Sequence, residues 1–332
     1  MRILVTGATG FVGAVLMPEL IRRCGAGAVD AFILPGDNVP ASWRDAGVRL
    51  FPGDIADPAS VAAAVRGHDR VVHMAGLISY WRGDEAKLKK VNEDGVRSVV
   101  EACLAAGVER LIHVSSVGAV GFHEDGTPAG ETAAYNWPAD ILYMTSKRRG
   151  QDIVEQAVRE RGLRAVILNP ASIMGPGDHN PETPHNRLYG MICGGTQIGS
   201  FAGGLAIVDV RDLVAIIVKA LEGRGRDGES YLVVGANLPY PEVVRRISRA
   251  CGRKAYPFRI PGPLVTAAGF VLELAARLTG KRPLITAAYG RLSGWTAYYD
   301  NAKSRREFDH AYIDADRTIA DGCSYFRDHF RS

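Results

Sequence analysis

The stretch Ile3-Leu4-Val5-Thr6-Gly7-Ala8-Thr9-Gly10-Phe11-Val12-Gly13 decides the fold of this 332-residue chain. An apolar strand runs straight into three glycines spaced three apart, and a helix is predicted from about Phe11. Such a turn needs a residue without Cβ at its tightest point, and a second glycine lets a phosphate approach the backbone. The third glycine lets the helix pack closely on the strand, and the helix N-terminus attracts an anion. We interpret the stretch as a cradle for a pyrophosphate.

The residues that follow favour this interpretation over an ordinary glycine-rich turn. Glycine is abundant in the chain, with 38 residues, so the spacing alone also arises by chance. The motif needs an amphipathic helix after it, and the apolar positions there have the helical period. These positions are Val12, Val15, Leu16, Leu20 and Ile21.

Short apolar runs alternate with helical segments as far as about residue 168, which predicts repeated β-α units. Strands are predicted at 3–5, 31–34, 49–51, 70–73, 111–114 and 165–168, and helices near 11–23, 58–66, 85–106 and 141–161. Further helices are predicted near 209–222 and 240–251 and from about Arg317. The expected fold is α/β, a doubly wound parallel sheet of the Rossmann type. Residues 1–170 are expected to form the dinucleotide-binding domain, with a contribution from about 205–235, and residues 171–332 mainly a smaller substrate-binding lobe.

Composition is that of a soluble globular enzyme, with 47% apolar and 23% charged residues. The formal net charge of +4 comes from scattered basic residues without a run interleaved with aromatics, so a nucleic-acid partner is not expected. The cysteines lie far apart without a C-x-x-C pair, which predicts neither a metal site nor a disulfide framework. They are Cys24, Cys103, Cys193, Cys251 and Cys323. A reducing, cytoplasmic location is therefore expected.

One apolar segment near the C-terminus, Leu264 to Ala276, is too short to span a bilayer and contains Glu273. It is predicted to be an amphipathic or buried helix of the second lobe, and an interfacial membrane contact stays open as the alternative. The N-terminus lacks the charged and apolar regions of a signal peptide.

A tyrosine and a lysine four residues apart, Tyr143 and Lys147, are candidates for proton transfer. Positions four apart share one face of a helix, so the phenol and the ammonium project together. A cation held nearby lowers the pKa of a phenol, which then exchanges a proton with an alcohol or carbonyl oxygen. A surface pair without a catalytic role is the simpler alternative when this motif is taken alone.

A strand ending in two hydroxyls, Leu111-Ile112-His113-Val114-Ser115-Ser116, lies upstream. A serine at the carboxyl end of a strand lies at the edge where the glycine loop also opens. Its hydroxyl can hold the substrate oxygen that accepts the proton. We assign this role to Ser116, whereas Ser115 is expected only to satisfy the strand end.

Taken together, the glycine loop, Ser116, Tyr143 and Lys147 resemble the short-chain dehydrogenase/reductase superfamily, and in detail its extended branch. Other motifs that look like this branch are Gly53-Asp54-Ile55, His73-Met74-Ala75-Gly76, Val91-Asn92 with Gly95, Asn169-Pro170, Gly175-Pro176-Gly177-Asp178 and Val208-Asp209-Val210-Arg211-Asp212. Within the branch, the sequence is most similar to the dihydroflavonol reductase-like and 3β-hydroxysteroid dehydrogenase-like group, including hopanoid-associated bacterial members. The similarity runs nearly end to end.

The resemblance implies specific roles. Tyr143 would be the general acid in reduction and the general base in oxidation, Lys147 would bind the nicotinamide ribose and lower the pKa of Tyr143, and Ser116 would orient the substrate oxygen. The residues implied to bind the cofactor are Gly7, Thr9, Gly10, Phe11, Val12, Gly13, Asp54, Ile55, Ala75, Gly76, Tyr143, Lys147, Pro170, Ala171 and Ser172. Branch members are often dimers built on two helices, here those near 85–106 and 141–161, which implies a homodimer.

The choice between NAD and NADP stays open in the sequence. An acid at the end of the second strand would bind the ribose 2′-hydroxyl of NAD, and an arginine the 2′-phosphate of NADP. Leu34 stands about where the reductase-like group often has its arginine. Asp37 favours NAD, whereas Arg44 and the family comparison favour NADP.

Aromatic residues favour an apolar carbonyl or alcohol substrate. The predicted lining residues are Tyr80, Trp81, Tyr135, Trp137 and Tyr189. The short stretch 195–207 lacks Arg and Lys, which argues against the diphosphate of a nucleotide sugar. We therefore expect an NAD(P)-dependent oxidoreductase. The alternatives are an epimerase or dehydratase that keeps its nicotinamide bound, and a non-catalytic dinucleotide sensor.

Overall fold

The computed structural model describes the whole chain except positions 26, 198, 257, 280, 281, 284, 331 and 332 and the side chain at 277. Its strands are β1 (Ile3–Thr6), β2 (Val29–Ile33), β3 (Leu50–Pro52), β4 (Arg70–His73), β5 (Arg110–Val114), β6 (Ala165–Pro170), β7 (Ser172–Met174), β8 (Ser200–Phe201), β9 (Gly204–Asp209), β10 (Ser230–Val233), β11 (Ala236–Pro239) and β12 (Arg259–Ile260). Its helices are α1 (Phe11–Cys24), α2 (Ala41–Asp45), α3 (Pro58–Val65), α4 (Glu85–Lys89), α5 (Gly95–Ala106), α6 (Leu142–Arg161), α7 (Pro184–Gly194), α8 (Val210–Leu221), α9 (Tyr240–Ala250), α10 (Gly262–Thr279), α11 (Ala287–Leu292), α12 (Ala302–Glu307) and α13 (Ala315–Phe330).

Seven parallel strands form the central sheet in the order β10-β6-β5-β4-β1-β2-β3. The strands β1, β2, β5 and β6 are buried at every residue, because helices cover both faces. The strand order reverses between β4 and β1: from there β2 and β3 follow on one side, and β5, β6 and β10 on the other. A doubly wound sheet opens its ligand crevice at such a reversal. The predicted α/β fold is confirmed.

Two hydrophobic cores flank this sheet. On one face Leu16 and Leu20 of α1 lie in the same core as Leu213 and Ile217 of α8. On the other face α3, α5 and α6 contribute Val61, Val99 and Val154, respectively, to a second core.

The predicted helix near 85–106 is interrupted. A π-helical turn, Lys90–Asp94, separates α4 from α5. Asn92 in this turn is buried, and a Cβ at Gly150 of α6 would overlap its carbonyl oxygen. Such bulges are frequent at functional sites. The prediction of one continuous helix is therefore wrong at this turn, where α6 approaches the backbone closely.

The C-terminal part has a core of its own, built from α7, α9 and α13 around residues such as Ile192, Val243 and Ile319. Here the structure corrects the cysteine prediction. A disulfide joins Cys193 to Cys251, and the Cys323 sulfur lies 2.7 Å from that of Cys251. The three positions are on α7, next to α9 and on α13, so packing brings together cysteines that sequence spacing separates.

The apolar segment Leu264 to Ala276 lies within α10, and the helix is not buried. Only a narrow face packs inward, and large apolar side chains cover the rest of its surface. Among the described residues, no helix is long and apolar enough to cross a membrane.

Candidate active site

The glycine loop follows β1 at the reversal of strand order, as the sequence predicts. Gly7 has a left-handed backbone (φ 72°), and a Cβ there would lie 2.7 Å from the Ala75 amide nitrogen. A Cβ at Gly13 would lie 2.6 Å from Ala8 Cα, so only glycine lets α1 pack this closely on the loop. No side chain caps the start of α1 at Gly10, which leaves its first amides for a ligand.

Two carboxylates lie near the outer strand ends of this edge. Asp37, beyond β2, accepts hydrogen bonds from Thr9 Oγ1 (2.7 Å) and from the Leu34 amide (3.1 Å). Asp54, beyond β3, pairs with Lys90 Nζ at 3.0 Å. A hydrogen bond from the Ala56 amide, and then Lys90, lower the pKa of Asp54 below its ordinary value. Asp37 thus ties the loop after β2 to the glycine loop.

Asn92 connects the loop after β4 to α6. Its side chain accepts from the Leu77 amide (2.8 Å) and donates to the Leu77 carbonyl (2.9 Å) and to Ser146 Oγ (2.9 Å). A Cβ at Gly76 would lie 3.4 Å from Asn92 Oδ1 and 3.9 Å from Lys147 Nζ. Gly76 therefore borders the space between these side chains. The Val91-Asn92 motif was visible in the sequence, but its positioning role was not.

Ser116 lies just beyond β5. Its Oγ accepts a hydrogen bond from the Gly118 amide (3.0 Å), and its carbonyl accepts one from the buried Asn169 (2.8 Å). Asn169 also donates to Gln151 of α6 at 2.7 Å, so it joins β6, the Ser116 loop and α6. The Ser116 hydroxyl is thereby held at the sheet edge.

Tyr143 lies in the first turn of α6 and is buried. Burial raises its pKa above the ordinary value, and the nearby Ser116 hydroxyl opposes that rise. The structure therefore brings Ser116 and Tyr143 together. The expected lowering by Lys147 is not found in this structure, because Lys147 is not among the groups that shift the pKa of Tyr143.

The Lys147 ammonium lies one helical turn from Tyr143 and donates to the Val114 carbonyl at 3.3 Å. Burial lowers its pKa to about 8. The titratable neighbours His73 and His113 stay neutral, since burial and then nearby positive charge lower the pKa of His73 to about 3 and that of His113 well below its ordinary value. No described carboxylate forms an ion pair with this ammonium.

Lys147→Met is expected to stabilise the protein at pH 7 and to abolish activity. Below about pH 8 the buried Lys147 is protonated in the folded state, and burial of its positive charge lowers the stability of the wild type. Between about pH 8 and the ordinary lysine pKa of 10.5 the unfolded chain binds more protons, so wild-type stability rises with pH there. The Tm of Lys147→Met should therefore exceed that of the wild type at pH 7, and this difference should decrease as the pH rises from about 8 to 10.5.

Thermal unfolding at several pH values checks this expectation, with Lys89→Met at an exposed lysine of α4 as the matched control. A Tm difference that is independent of pH, or a variant less stable than the wild type at pH 7, would contradict the burial of a charged Lys147.

A series of neighbouring aromatic rings extends from the Tyr143 ring. Tyr80 lies 5.6 Å from Tyr143 and 5.6 Å from Tyr289, and Phe201 lies 5.7 Å from Tyr289 and 5.3 Å from Tyr240, all between ring centroids. We call Tyr80, Phe201, Tyr240 and Tyr289 the aromatic cluster. Tyr240 and Tyr289 were missed in the sequence, because nothing local links them to Tyr143.

Two of the predicted lining residues lie within the hydrophobic cores. Tyr189 is fully buried in the C-terminal core, where its ring lies 6.3 Å from that of Phe326. Trp137 is buried, its ring lies tilted with its centroid 4.4 Å from that of Phe122, and its indole donates to the Val120 carbonyl. Both are packing residues.

Two other predicted lining residues, Trp81 and Tyr135, are only half-buried. Trp81 has the Arg282 guanidinium 5.8 Å from its ring. Tyr135 packs against the first core. Their contact with a substrate stays a prediction.

The remaining predicted cofactor residues lie along the same strand ends. Ile55 is buried and packs closely on Gly95 of α5, since a Cβ at Gly95 would lie 3.0 Å from Ile55 Cγ2. Pro170 ends β6, and Ala171 donates its amide to the Val233 carbonyl at 3.1 Å. Ser172 is exposed at the start of β7. The structure thus brings the predicted set to one edge of the sheet.

A glycine loop at the reversal of a doubly wound sheet, with a tyrosine and a lysine on the helix beside it, defines a Rossmann-type dinucleotide enzyme. A model described as the NAD dependent epimerase/dehydratase family matches residues 3–234. The chain belongs to the NAD-dependent epimerase/dehydratase family, and the resemblance expected from its motifs is confirmed.

Individual proteins similar to this chain support the same family assignment. Across 332 residues, 99% of each chain, the protein is 31% identical to sterol demethylase protein B of Methylococcus capsulatus. It is 28% identical over 345 residues to a 3-beta-hydroxysteroid dehydrogenase of Mycolicibacterium neoaurum, covering 99% of this chain and 92% of the relative. The crystal structure of gox2253 matches with a TM-score of 0.84 at 31% identity over 99% of both chains. These similarities support the dihydroflavonol reductase and 3β-hydroxysteroid dehydrogenase group.

Proposed function

We propose that this enzyme transfers a hydride between a nicotinamide dinucleotide and the carbonyl or secondary alcohol carbon of a largely apolar small molecule. The observation that carries the proposal is that Tyr143, near the Ser116 hydroxyl, lies in the first turn of α6, beside the sheet edge where the glycine loop opens. Lys147 lies one helical turn away.

The residues present fit a dinucleotide. The loop places a helix N-terminus without a capping side chain where Gly7 and Gly13 leave no room for a Cβ. Gly7, Gly10 and Gly13 would hold the pyrophosphate, Asp37 the adenosine ribose and Lys147 the nicotinamide ribose. When bound, the dinucleotide supplies or accepts the hydride.

In reduction, Tyr143 donates its phenolic proton to the substrate oxygen as the carbonyl carbon becomes a secondary alcohol, and in oxidation it accepts that proton. Ser116 binds the same oxygen and fixes its position. Because burial raises the pKa of Tyr143, the phenol is protonated at neutral pH, which is the form that reduction needs.

The surroundings of Tyr143 support an apolar substrate. The aromatic cluster offers rings and phenols without a fixed charge. Burial raises the pKa of Tyr80 and of Tyr289, so these phenols stay neutral. The absence of Arg and Lys from 195–207 disfavours a nucleotide diphosphate. The relatives named for sterols and steroids act on molecules of this apolar class.

We further propose that NAD is preferred over NADP. The Asp37 carboxylate is fixed beside the glycine loop, in the loop just beyond β2. An acid in this region would bind the ribose 2′-hydroxyl and repel a 2′-phosphate. Asp37→Ala is expected to weaken NAD binding about tenfold and to narrow the preference over NADP. Titration calorimetry with both dinucleotides measures this change.

Asp45→Ala removes an exposed acid of the nearby α2 and is the matched control, expected to leave the ratio of the two dissociation constants unchanged. A wild-type protein that binds NADP more tightly than NAD would contradict the assignment of Asp37.

The functional test is a panel of apolar ketones, aldehydes and secondary alcohols, with oxidation or reduction of the nicotinamide followed by its absorbance. Net turnover of the dinucleotide is expected. An epimerase or dehydratase that returns its hydride would instead copurify with the dinucleotide and show no net consumption. Tight dinucleotide binding without turnover on any compound would favour the sensor.

A further inference from the structure

The outward surface of α10 is made of large apolar side chains. Five of them are 54–85% exposed: Leu264, Phe270, Val271, Leu274 and Leu278. Tyr256 and Phe258, just before the helix, are 53% and 68% exposed. An exposed apolar surface of this size on a single helix marks an interaction site.

The inward face of the same helix carries smaller residues. Val265, Gly269 and Ala276 are buried at helical spacing against α11. The packing is close, since a Cβ at Gly269 would lie 2.6 Å from the Ala287 amide nitrogen and a Cβ at Gly290 2.5 Å from that of Thr266. Glu273, the acid of the helix, accepts from the Ala287 amide at 3.3 Å. The larger apolar residues therefore face outward, the reverse of an ordinary core-facing helix.

Positive charge is concentrated in the sequence that contains α10. The sequence from 253 to 282 contains six basic residues and one acidic residue, Glu273, for a net formal charge of +5. The whole chain carries +4, so the rest is close to neutral. Lys254 and Arg259 are exposed beside Tyr256 and Phe258. An apolar helix face with flanking cations has the composition of an interfacial membrane helix.

The surface lies one helix away from the proposed substrate site. The helix α11, which packs along α10, carries Tyr289 of the aromatic cluster. Arg282, beyond α10, forms an ion pair with Asp84 and lies over Trp81 in the loop that follows Tyr80. The outward face of α10 and the Tyr143 site are thus joined through contiguous packing.

We propose that the outward face of α10, with Tyr256 and Phe258, docks this enzyme on an anionic lipid bilayer, from which an apolar substrate enters the site. The occupant follows from charge complementarity with anionic headgroups and from the apolar residues that would enter the acyl boundary. A second copy fits poorly, because a two-fold contact would bring the +5 segment against itself. The route of the substrate rests on the proposed function, whereas docking does not.

Flotation with phosphatidylcholine vesicles, with and without phosphatidylglycerol, tests the docking. The full chain is expected to float with the anionic vesicles and to be partly released by high salt. Phe270→Ser with Leu274→Ser should weaken binding about tenfold or more, because two exposed apolar side chains are lost. Met191→Ser, at an exposed apolar residue of α7, is the matched control and should bind as the wild type.

Charge is tested separately. Lys254→Glu with Arg259→Glu should lower binding to anionic vesicles, whereas Arg66→Glu with Arg159→Glu gives the same change in net charge at exposed positions elsewhere and should not. Failure of the wild type to float, or equal loss in both pairs, would overturn the docking proposal. A dimer in solution that Phe270→Ser dissociates would show instead that the face binds a second copy.

Activity separates this proposal from the proposed function. The Phe270→Ser, Leu274→Ser variant should turn over a water-soluble carbonyl at the wild-type rate and a vesicle-borne one about tenfold more slowly. Equal rates on both would overturn the delivery route. Turnover of neither by the wild type, with flotation intact, would overturn the proposed function and leave docking standing.

Discussion

Tyr143→Phe is expected to lower kcat by about 10²–10⁴-fold while leaving the dissociation constant of the dinucleotide nearly unchanged. The substitution removes the hydroxyl that exchanges a proton with the substrate oxygen. It keeps the ring that packs edge-on against Tyr80. Steady-state kinetics and dinucleotide titration on the same preparation separate the two quantities.

Tyr289→Phe is the matched control for this variant, since it makes the same change in the aromatic cluster but away from the proposed proton donor. It should change kcat less than tenfold. A Tyr143→Phe protein with wild-type kcat would remove Tyr143 from the mechanism.

Gly13→Ala is expected to destabilise the protein by about 3 kcal/mol and to abolish measurable dinucleotide binding. The added methyl group would lie within the Ala8 backbone, so α1 would have to move away from the loop. That movement displaces the helix N-terminus on which pyrophosphate binding depends. Denaturant unfolding and dinucleotide titration measure the two effects.

Gly194→Ala gives the same change at the last residue of α7, where a Cβ would meet open space. It should be neutral or slightly stabilising, because alanine has the higher helix propensity. If Gly13→Ala kept wild-type stability and affinity, the close approach of α1 to the loop would not be essential.

The sheet could be predicted from the sequence, and the candidate catalytic residues could be proposed from it, because both signals are local. Buried parallel strands form continuous apolar runs such as Leu111 to Val114, and Tyr143 and Lys147 share a helical face. Ser116 followed from its position at a strand end. The break at Lys90–Asp94 did not, because it lies where Gly150 of another helix packs closely on the backbone, a tertiary contact that the local sequence does not show.

Substrate-side residues were predicted less well. Aromatic character does not tell a pocket from a core, and Tyr189 proved to be core. Tyr240 and Tyr289 reach the site only through packing of the C-terminal elements. The disulfide between Cys193 and Cys251 and the exposure of α10 likewise depend on tertiary contacts.

Hydride transfer to the substrate carbon is the central claim, and isotope transfer tests it most directly. The enzyme would be given reduced dinucleotide deuterated at the transferable position and an apolar ketone from the panel. We predict an alcohol with one deuterium on its carbinol carbon and one oxidised dinucleotide released for each alcohol formed. Deuterium retained on the protein-bound dinucleotide, with an isomerised or dehydrated substrate and no net oxidation, would contradict the account.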